Sequence, residues 1–359
     1  MRYGGVDVDS KFIDEEDIVA KLHFLEQMEE RWPYAPAKGV LLADRVRRSL
    51  SFVPEELQRY ALVAFANVMY LPDSLLRESW GYLARYVARG LRISTAELFD
   101  QSHLLEVDSG GNIPAFLHEN SVQGRLDTDR FSRLNSVTDL ATNLRLVAGS
   151  NEPEEEIVRA IRLAFSKRYW LLLSDNVLSG TSVRSDLSRC QRLISAYRSL
   201  GEPRLVPVTQ VLTSTAEEAL SPESLNYFAL RFDGRSRVVE GNATCGLFNS
   251  QATLAGVVRV SNWLADQTWF AEDVRLKATI EKSGDNMACG FKNGGWTIVT
   301  PNCPTNSLPI LWYDMPGFYE GPFPRIMSRT TQAKGGGESL AKTAIDLAPQ
   351  VLEKLQGGK

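Results

Sequence analysis

Residues 171–187 read LLLSDNVLSGTSVRSDL, and the order of residue types in this stretch decides the fold. The apolar run ending at Asp175 predicts a strand buried on both faces, as strands of parallel sheets are. Ser179-Gly180-Thr181-Ser182 follows as a loop of small residues that leaves its backbone N–H groups accessible. From Ser182 onward Val183, Leu187, Cys190, Ile194 and Tyr197 recur at helical spacing, and Gly201 closes the helix. A strand, an acid at its carboxyl end, a small-residue loop and a helix together form a phosphate site: the amides and the positive end of the helix face the anion. The same loop also fits a plain cap, in which Ser179, Thr181 or Ser182 only satisfies the first turn of the helix. A Walker loop is excluded, because no lysine follows the glycine and the spacing is wrong.

Outward from this stretch the alternation continues. Residues 152–167 read as a helix with Ile157, Ile161, Ala164 and Phe165 on one face, leading into a strand at 169–174. A further strand is expected at 205–212, weakened at its start by Pro207. Upstream, residues 103–107 form a short strand, and Asp108-Ser109-Gly110-Gly111-Asn112 is a turn-rich loop. Helix, strand, loop, helix and strand in succession make a parallel α/β unit.

The flanks differ. Residues 14–92 read as helical, with segments at 38–50, 54–71 and 73–91, and their aromatics (Tyr60, Phe65, Tyr70, Trp80, Tyr82, Tyr86) are expected in the core. A helix is expected at 251–266 and a hairpin at 287–299 around Asn293-Gly294-Gly295. Residues 301–325 carry too much apolar bulk to be a linker. A hinge at Gly335-Gly336-Gly337 precedes a helix, or two half-helices meeting at Pro349, over 338–356. The stripe Leu340, Ala344, Leu347, Val351 and Leu355 must dock on this chain or on a partner, a second copy included. The expected division is a helical subdomain at 1–95, an α/β domain at 96–330 with an irregular hood at 285–325, and a helical tail at 331–359.

The chain has 359 residues, 43% hydrophobic and 23% charged, with a net charge of −4. That is a globular composition with no global basic field for nucleic acid. The clusters Arg45, Arg47, Arg48 and Lys167, Arg168 read as solvated faces. Cys190, Cys245, Cys289 and Cys303 include no CxxC pair, and His23, His103 and His118 do not cluster with them, so no metal site is expected. Scattered cysteines and the acidic N-terminal stretch point to a cytoplasmic chain, and no window is apolar enough for a membrane span.

The 171–187 stretch resembles the ribose-phosphate signature of type I phosphoribosyltransferases. Asp175 matches the first acid, Val177-Leu178 the apolar pair, and Ser179-Gly180-Thr181-Ser182 the phosphate loop. Asn176 stands where the signature usually has a second acid, and the loop is about one residue shorter than its commonest form. The resemblance implies a parallel-sheet core of that type between an N-terminal helical subdomain and a C-terminal helical tail. It implies a site for phosphoribosyl diphosphate or a related nucleotide. There Asp175 and Asn176 stand at the ribose, Ser179, Gly180, Thr181 and Ser182 hold the 5′-phosphate, and Mg2+ accompanies the diphosphate. Ser109, Gly110, Gly111 and Asn112 resemble the family's pyrophosphate loop, with a plain turn as the other reading.

The helical N-terminal region, LLLSDNVLSGTS and the segment PTNSLPILWY…GPFPR (304–325) together are similar to the divergent phosphoribosyltransferase-like proteins of bacterial conflict systems, found beside retron-type reverse transcriptases in antiphage loci. Asn306, Leu308, Pro309 and Trp312 would mark that family, and Trp312 is the candidate to stack on a base, with core packing as the alternative. That resemblance implies an antiviral toxin effector, a transferase or hydrolase acting at the anomeric carbon of a ribose phosphate. Whether it is an enzyme stays open. The alternative is a nucleotide-sensing or assembly module that docks on a reverse transcriptase and its RNA or DNA product. An operon regulator ranks behind both, because 14–92 shows no helix-turn-helix.

Overall fold

The computed structural model describes residues 2–3, 6–7, 15–28, 40–71, 73–107, 112–121, 134–177, 180–213, 216–217, 220, 228–233, 251–283, 287–290, 297–299, 307–324 and 336–356. In chain order these begin with a short hairpin, β1 (Arg2–Tyr3) and β2 (Val6–Asp7), and the helices α1 (Glu15–Met28), α2 (Leu42–Phe52) and α3 (Glu55–Ala66). Next come β3 (Met69–Leu71), α4 (Asp73–Leu91), α5 (Thr95–Gln101), β4 (Ser102–Glu106), α6 (Asn112–Ser121), α7 (Val137–Gly149) and α8 (Glu155–Ser166). The central run is β5 (Tyr169–Val177), α9 (Thr181–Ala196), β6 (Arg204–Thr213) and β7 (Phe228–Asp233). The protein is mostly helical, with a small parallel sheet.

The chain divides into two compact units, Met1–Leu75 with Gly234–Arg329, and Leu76–Asp233 with Thr330–Lys359. The break at 329/330 falls where one was expected, but the first unit ends at Leu75 rather than 95, and the break at 233/234 divides the expected α/β domain. The first helices share a core with the helix Gln251–Ala265 and with residues 307–324, α4 and α5 belong with the sheet, and the tail returns to the sheet unit. The cause is long-range packing, which local sequence pattern does not encode.

In the sheet unit, four parallel strands run in the order β4-β5-β6-β7. Pairing sets Leu104 beside Leu171 beside Val206, and Leu105 beside Leu172 beside Pro207. Because successive residues of a strand face opposite ways, the register sorts the apolar side chains into two layers. Leu104, Tyr169, Leu171, Leu173, Val206 and Val208 pack with α4, α5 and α6. Leu105, Trp170, Leu172 and Leu205 pack with α7, α8, α9 and the C-terminal helices. Pro207 sits inside β6 without ending it. The helix α7, capped by Ser136 on the Asp139 N–H, supplies Leu140, Leu144 and Val147 to the second layer.

The tail forms two helices, Gly336–Asp346 and Ala348–Gln356, with Pro349 in the first turn of the second. Gly336 and Gly337 lie inside the first helix and not in a free hinge, and Gly335 is outside the described residues. The stripe docks on this chain: Ala344, Val351 and Leu355 are buried in the second layer, with Leu340 and Leu347 packed against it. Polar contacts fix the same docking. The Tyr197 hydroxyl donates to the Ala344 carbonyl at 2.6 Å, and Lys354 Nζ donates to the carbonyls of Ala148 (2.6 Å) and Ser150 (2.7 Å), satisfying the C-terminus of α7.

In the other unit, β3 pairs in parallel with Thr297–Val299. The expected hairpin at 287–299 is therefore not what Thr297–Val299 forms among the described residues; Asn293, Gly294 and Gly295 lie outside them, and residues 287–290 are not strand. Residues 307–324 are ordered by burial: Leu308, Ile310, Leu311, Trp312, Tyr313, Tyr319 and Phe323 all enter the core. Arg45, expected on a solvated face, is buried instead; it donates to the Pro322 carbonyl and lies 5.8 Å from the Phe323 ring centre. Asp273 is a second buried charge. It accepts from Arg275 Nη2 at 2.6 Å, from the Arg275 backbone N–H at 2.8 Å and from the Tyr313 hydroxyl at 2.8 Å. Burial pushes its carboxyl upward, but the hydrogen bonds from Arg275 and Tyr313 outweigh burial and hold its pKa below the usual value.

Two measurements follow. Arg92 closes α4 in the left-handed region, φ 58°, while its N–H and that of Ile93 bond back to Arg89 and Ala88. Arg92→Gly removes the steric penalty of that conformation, partly offset by glycine's greater freedom when unfolded, and is expected to raise stability by about 0.5–1 kcal/mol, read as a higher denaturant midpoint at unchanged slope. The charged Asp273 stabilises the fold above the unfolded carboxyl pKa, near 4, and that contribution is lost as pH falls through its lower folded value. Asp273→Asn is expected to cost about 2 kcal/mol at neutral pH and to flatten the acid limb of a stability-against-pH curve.

Candidate functional site

Strand β5 runs three residues further than the sequence indicates, so Asp175, Asn176 and Val177 are its last residues rather than the start of a loop. Asn176 is registered with Val211 and Val177 with Leu212, which extends the β5–β6 ladder past the acid. Asp175 is half-buried at this carboxyl edge. Leu178 and Ser179 fall outside the described residues.

Gly180 is the N-cap of α9 and adopts the left-handed conformation, φ 71°, ψ −6°. Its carbonyl accepts from the Arg184 N–H at 2.8 Å, so the helix starts at once. Glycine suits the position because a side chain there would meet its own backbone. It also brings no side chain to cap with, and α9 has no side-chain bond at its N-cap. The N–H groups of the first turn, from Thr181 onward, thus sit at the positive end of a 16-residue helix with no oxygen from the N-cap side chain on them. Gly180 is buried, Thr181 half-buried and Ser182 exposed. Arg184, exposed in the next turn, adds a cation on the same helix end that the sequence reading passed over.

The neighbouring strand ends in Glu106, which is buried and registered with Leu173. Its carboxylate accepts the backbone N–H of Asn112, the first residue of α6. This bond ties the start of α6 to the carboxyl end of β4, beside β5. Ser109, Gly110 and Gly111 of the expected pyrophosphate loop lie outside the described residues. Asn112 is 6% exposed, and its side-chain Nδ2 has no hydrogen-bond partner. Glu106 was not singled out from the sequence, because a lone glutamate after an apolar strand carries no signature of its own.

Trp312 is not part of the sheet unit. It is fully buried in the core of the other unit, and its indole N–H donates to the Ser307 carbonyl at 2.8 Å. Burial corrects the stacking expectation: an indole so enclosed braces the core and offers no face to a base. Leu308 and Pro309 are buried beside it; Asn306 lies outside the described residues. Cys190 is buried in α9, and burial pushes its thiol well up, which makes it a packing residue. Among the described residues, no group of three or more His, Cys, Asp or Glu could hold a metal ion, and no helix is long and apolar enough to cross a membrane.

A three-layer parallel α/β unit, with an acid and a glycine-opened helix at the carboxyl edge of adjacent strands, belongs to the class of proteins whose ligand-binding edge is set by strand ends. The family model described as PRTase-CE matches residues 51–325, more than half of the chain. The chain therefore belongs to the PRTase-CE family, a divergent phosphoribosyltransferase-like family. No curated protein and no solved structure matches it.

The left-handed Gly180 gives a direct check of this geometry. Gly180→Ala is expected to destabilise the protein by about 1 kcal/mol, seen as a lower thermal midpoint. An unchanged midpoint would mean that the turn into α9 is not held as described.

Proposed function

We propose that the carboxyl edge of β4 and β5 binds phosphoribosyl diphosphate or a related nucleotide, and that the protein transfers or hydrolyses at its anomeric carbon. The observation that carries this reading is Gly180: it opens α9 without a capping side chain, a few residues beyond β5, whose carboxyl end carries Asp175. Amides of the first turn, with Ser179, Thr181 and Ser182, would take the 5′-phosphate. Asp175 would accept the ribose hydroxyls and favour positive charge developing at the anomeric carbon. The orphaned Nδ2 of Asn112 is a buried donor suited to a diphosphate oxygen.

Magnesium fits this arrangement only as a companion of the substrate. It needs one or two carboxylates when phosphates supply the remaining oxygens, and Asp175 can be that carboxylate. Bound with the diphosphate, the ion would neutralise the leaving group. What the chain itself contributes is placement: Asp175 orients the sugar and the α9 amides fix the phosphate.

Asn176 favours a second reading. With an amide in place of the second acid, less negative charge faces the developing cation, which suits a module that binds the ligand and signals or assembles without turnover. In either form the protein would act as an effector of antiphage defence, as transferase, hydrolase or sensor, with a reverse transcriptase and its RNA or DNA product as partner.

Titration calorimetry with phosphoribosyl diphosphate and Mg2+, paired with a pyrophosphate-release assay, separates the readings. The enzyme is expected to bind and release pyrophosphate, and Asp175→Ala to cut release by roughly 100-fold or more with the fold intact by circular dichroism. Binding without release supports the sensing module. No binding, or release indifferent to Asp175→Ala, overturns the assignment of this site.

A further inference from the structure

The outward face of α4 is not explained by the sheet site. Trp80, Leu83, Ala84, Val87 and Ala88 turn one side of this helix into the first core layer. On the other side Tyr82, Arg85, Tyr86 and Arg89 recur at i, i+3, i+4 and i+7, a single stripe along the helix. The aromatics of this region were expected in the core, but Tyr82 is 65% and Tyr86 50% exposed. The Arg85 guanidinium lies 4.8 Å from the centre of the Tyr82 ring, so cation and ring already lie against each other.

Charge narrows the partner. On the stripe itself Arg85 and Arg89 stand against Glu78, one turn before Tyr82, in a chain whose net charge is −4. A local positive stripe on an acidic protein fits a polyanion. Two exposed rings among arginines narrow it further, since an acidic peptide would use the cations and leave the rings idle. A membrane surface needs a broad aliphatic face, and the aliphatic side of α4 is already spent on the core.

We propose that this face of α4 binds single-stranded nucleic acid. Tyr82 and Tyr86, about 6 Å apart along the helix axis, serve as stacking platforms for unpaired bases, and Arg85 and Arg89 meet the phosphates. This surface is independent of the ligand assigned to the sheet edge, so either assignment can fail without the other.

The test is fluorescence anisotropy of the full chain with labelled oligo(dT) and oligo(U), with heparin and phosphatidylserine vesicles as polyanions lacking bases. Joint Tyr82→Ala and Tyr86→Ala substitution is expected to weaken oligonucleotide binding roughly 10-fold or more and to leave heparin binding unchanged. Joint Arg85→Ala and Arg89→Ala substitution is expected to weaken both and to reduce the slope of log K against log salt by about 1.4. These positions are exposed, and an unaltered melting curve shows that each variant is folded. The proposal is overturned if the tyrosine variant binds oligonucleotide as the unaltered chain does, if vesicles or heparin bind as tightly as the oligonucleotides, or if no oligonucleotide binds at low salt.

Discussion

Strand β5 is paired on both edges and covered on both faces, and the rest of the sheet unit depends on that double burial. Leu171 and Leu173 pack into one helical layer, Trp170 and Leu172 into the other, and β4 and β6 satisfy the backbone between them. Slipping the register by one residue would exchange the two layers and put every side chain in the wrong environment. The position of Asp175 is therefore set by its distance along the strand from residues that have no alternative place. Trp170 reinforces this: its indole N–H reaches the Ala164 carbonyl at 2.8 Å and ties the strand to the end of α8.

From that fixed strand the site is built with few parts. Gly180 turns the chain into α9 within a few residues of Asp175, and Glu106 draws the start of α6 to the end of β4. Both turns put helix amino ends at the same edge of the sheet. The surface depression at Gln191, Ile194, Arg198, Glu202 and Leu205 lies by contrast at the start of β6, the opposite end of the strands, where no comparable helix start is found among the described residues.

Much of this was legible in residues 169–212. The continuous apolar run, the small-residue loop and the 3.6-residue periodicity of 183–197 each have one structural solution in common, and the strand and helix boundaries came out within a few residues. Helix α7 carried an equally clear periodicity (Val137, Leu140, Leu144, Val147) and could have been read from it. Other features have no local signal. Trp312 and Tyr82 are both large aromatics, and only the fold decides that one is enclosed and the other exposed. Arg45 sits in a run of arginines, yet the Pro322 carbonyl and the Phe323 ring draw it inward. The partition into units eluded local reading for the same reason: α1 to α3 find their core in residues beyond 250.

That partition has a consequence for biosynthesis. One unit is interrupted in sequence by residues 76–233, and the other is completed only by 330–356. A nascent chain emerging from the ribosome cannot finish either unit early. The first helices must wait, with apolar faces uncovered, until residues 251–324 have been translated, and the α7 and α9 surfaces stay open until the final helices appear. Apolar faces left uncovered in this way are where a chaperone would bind during synthesis.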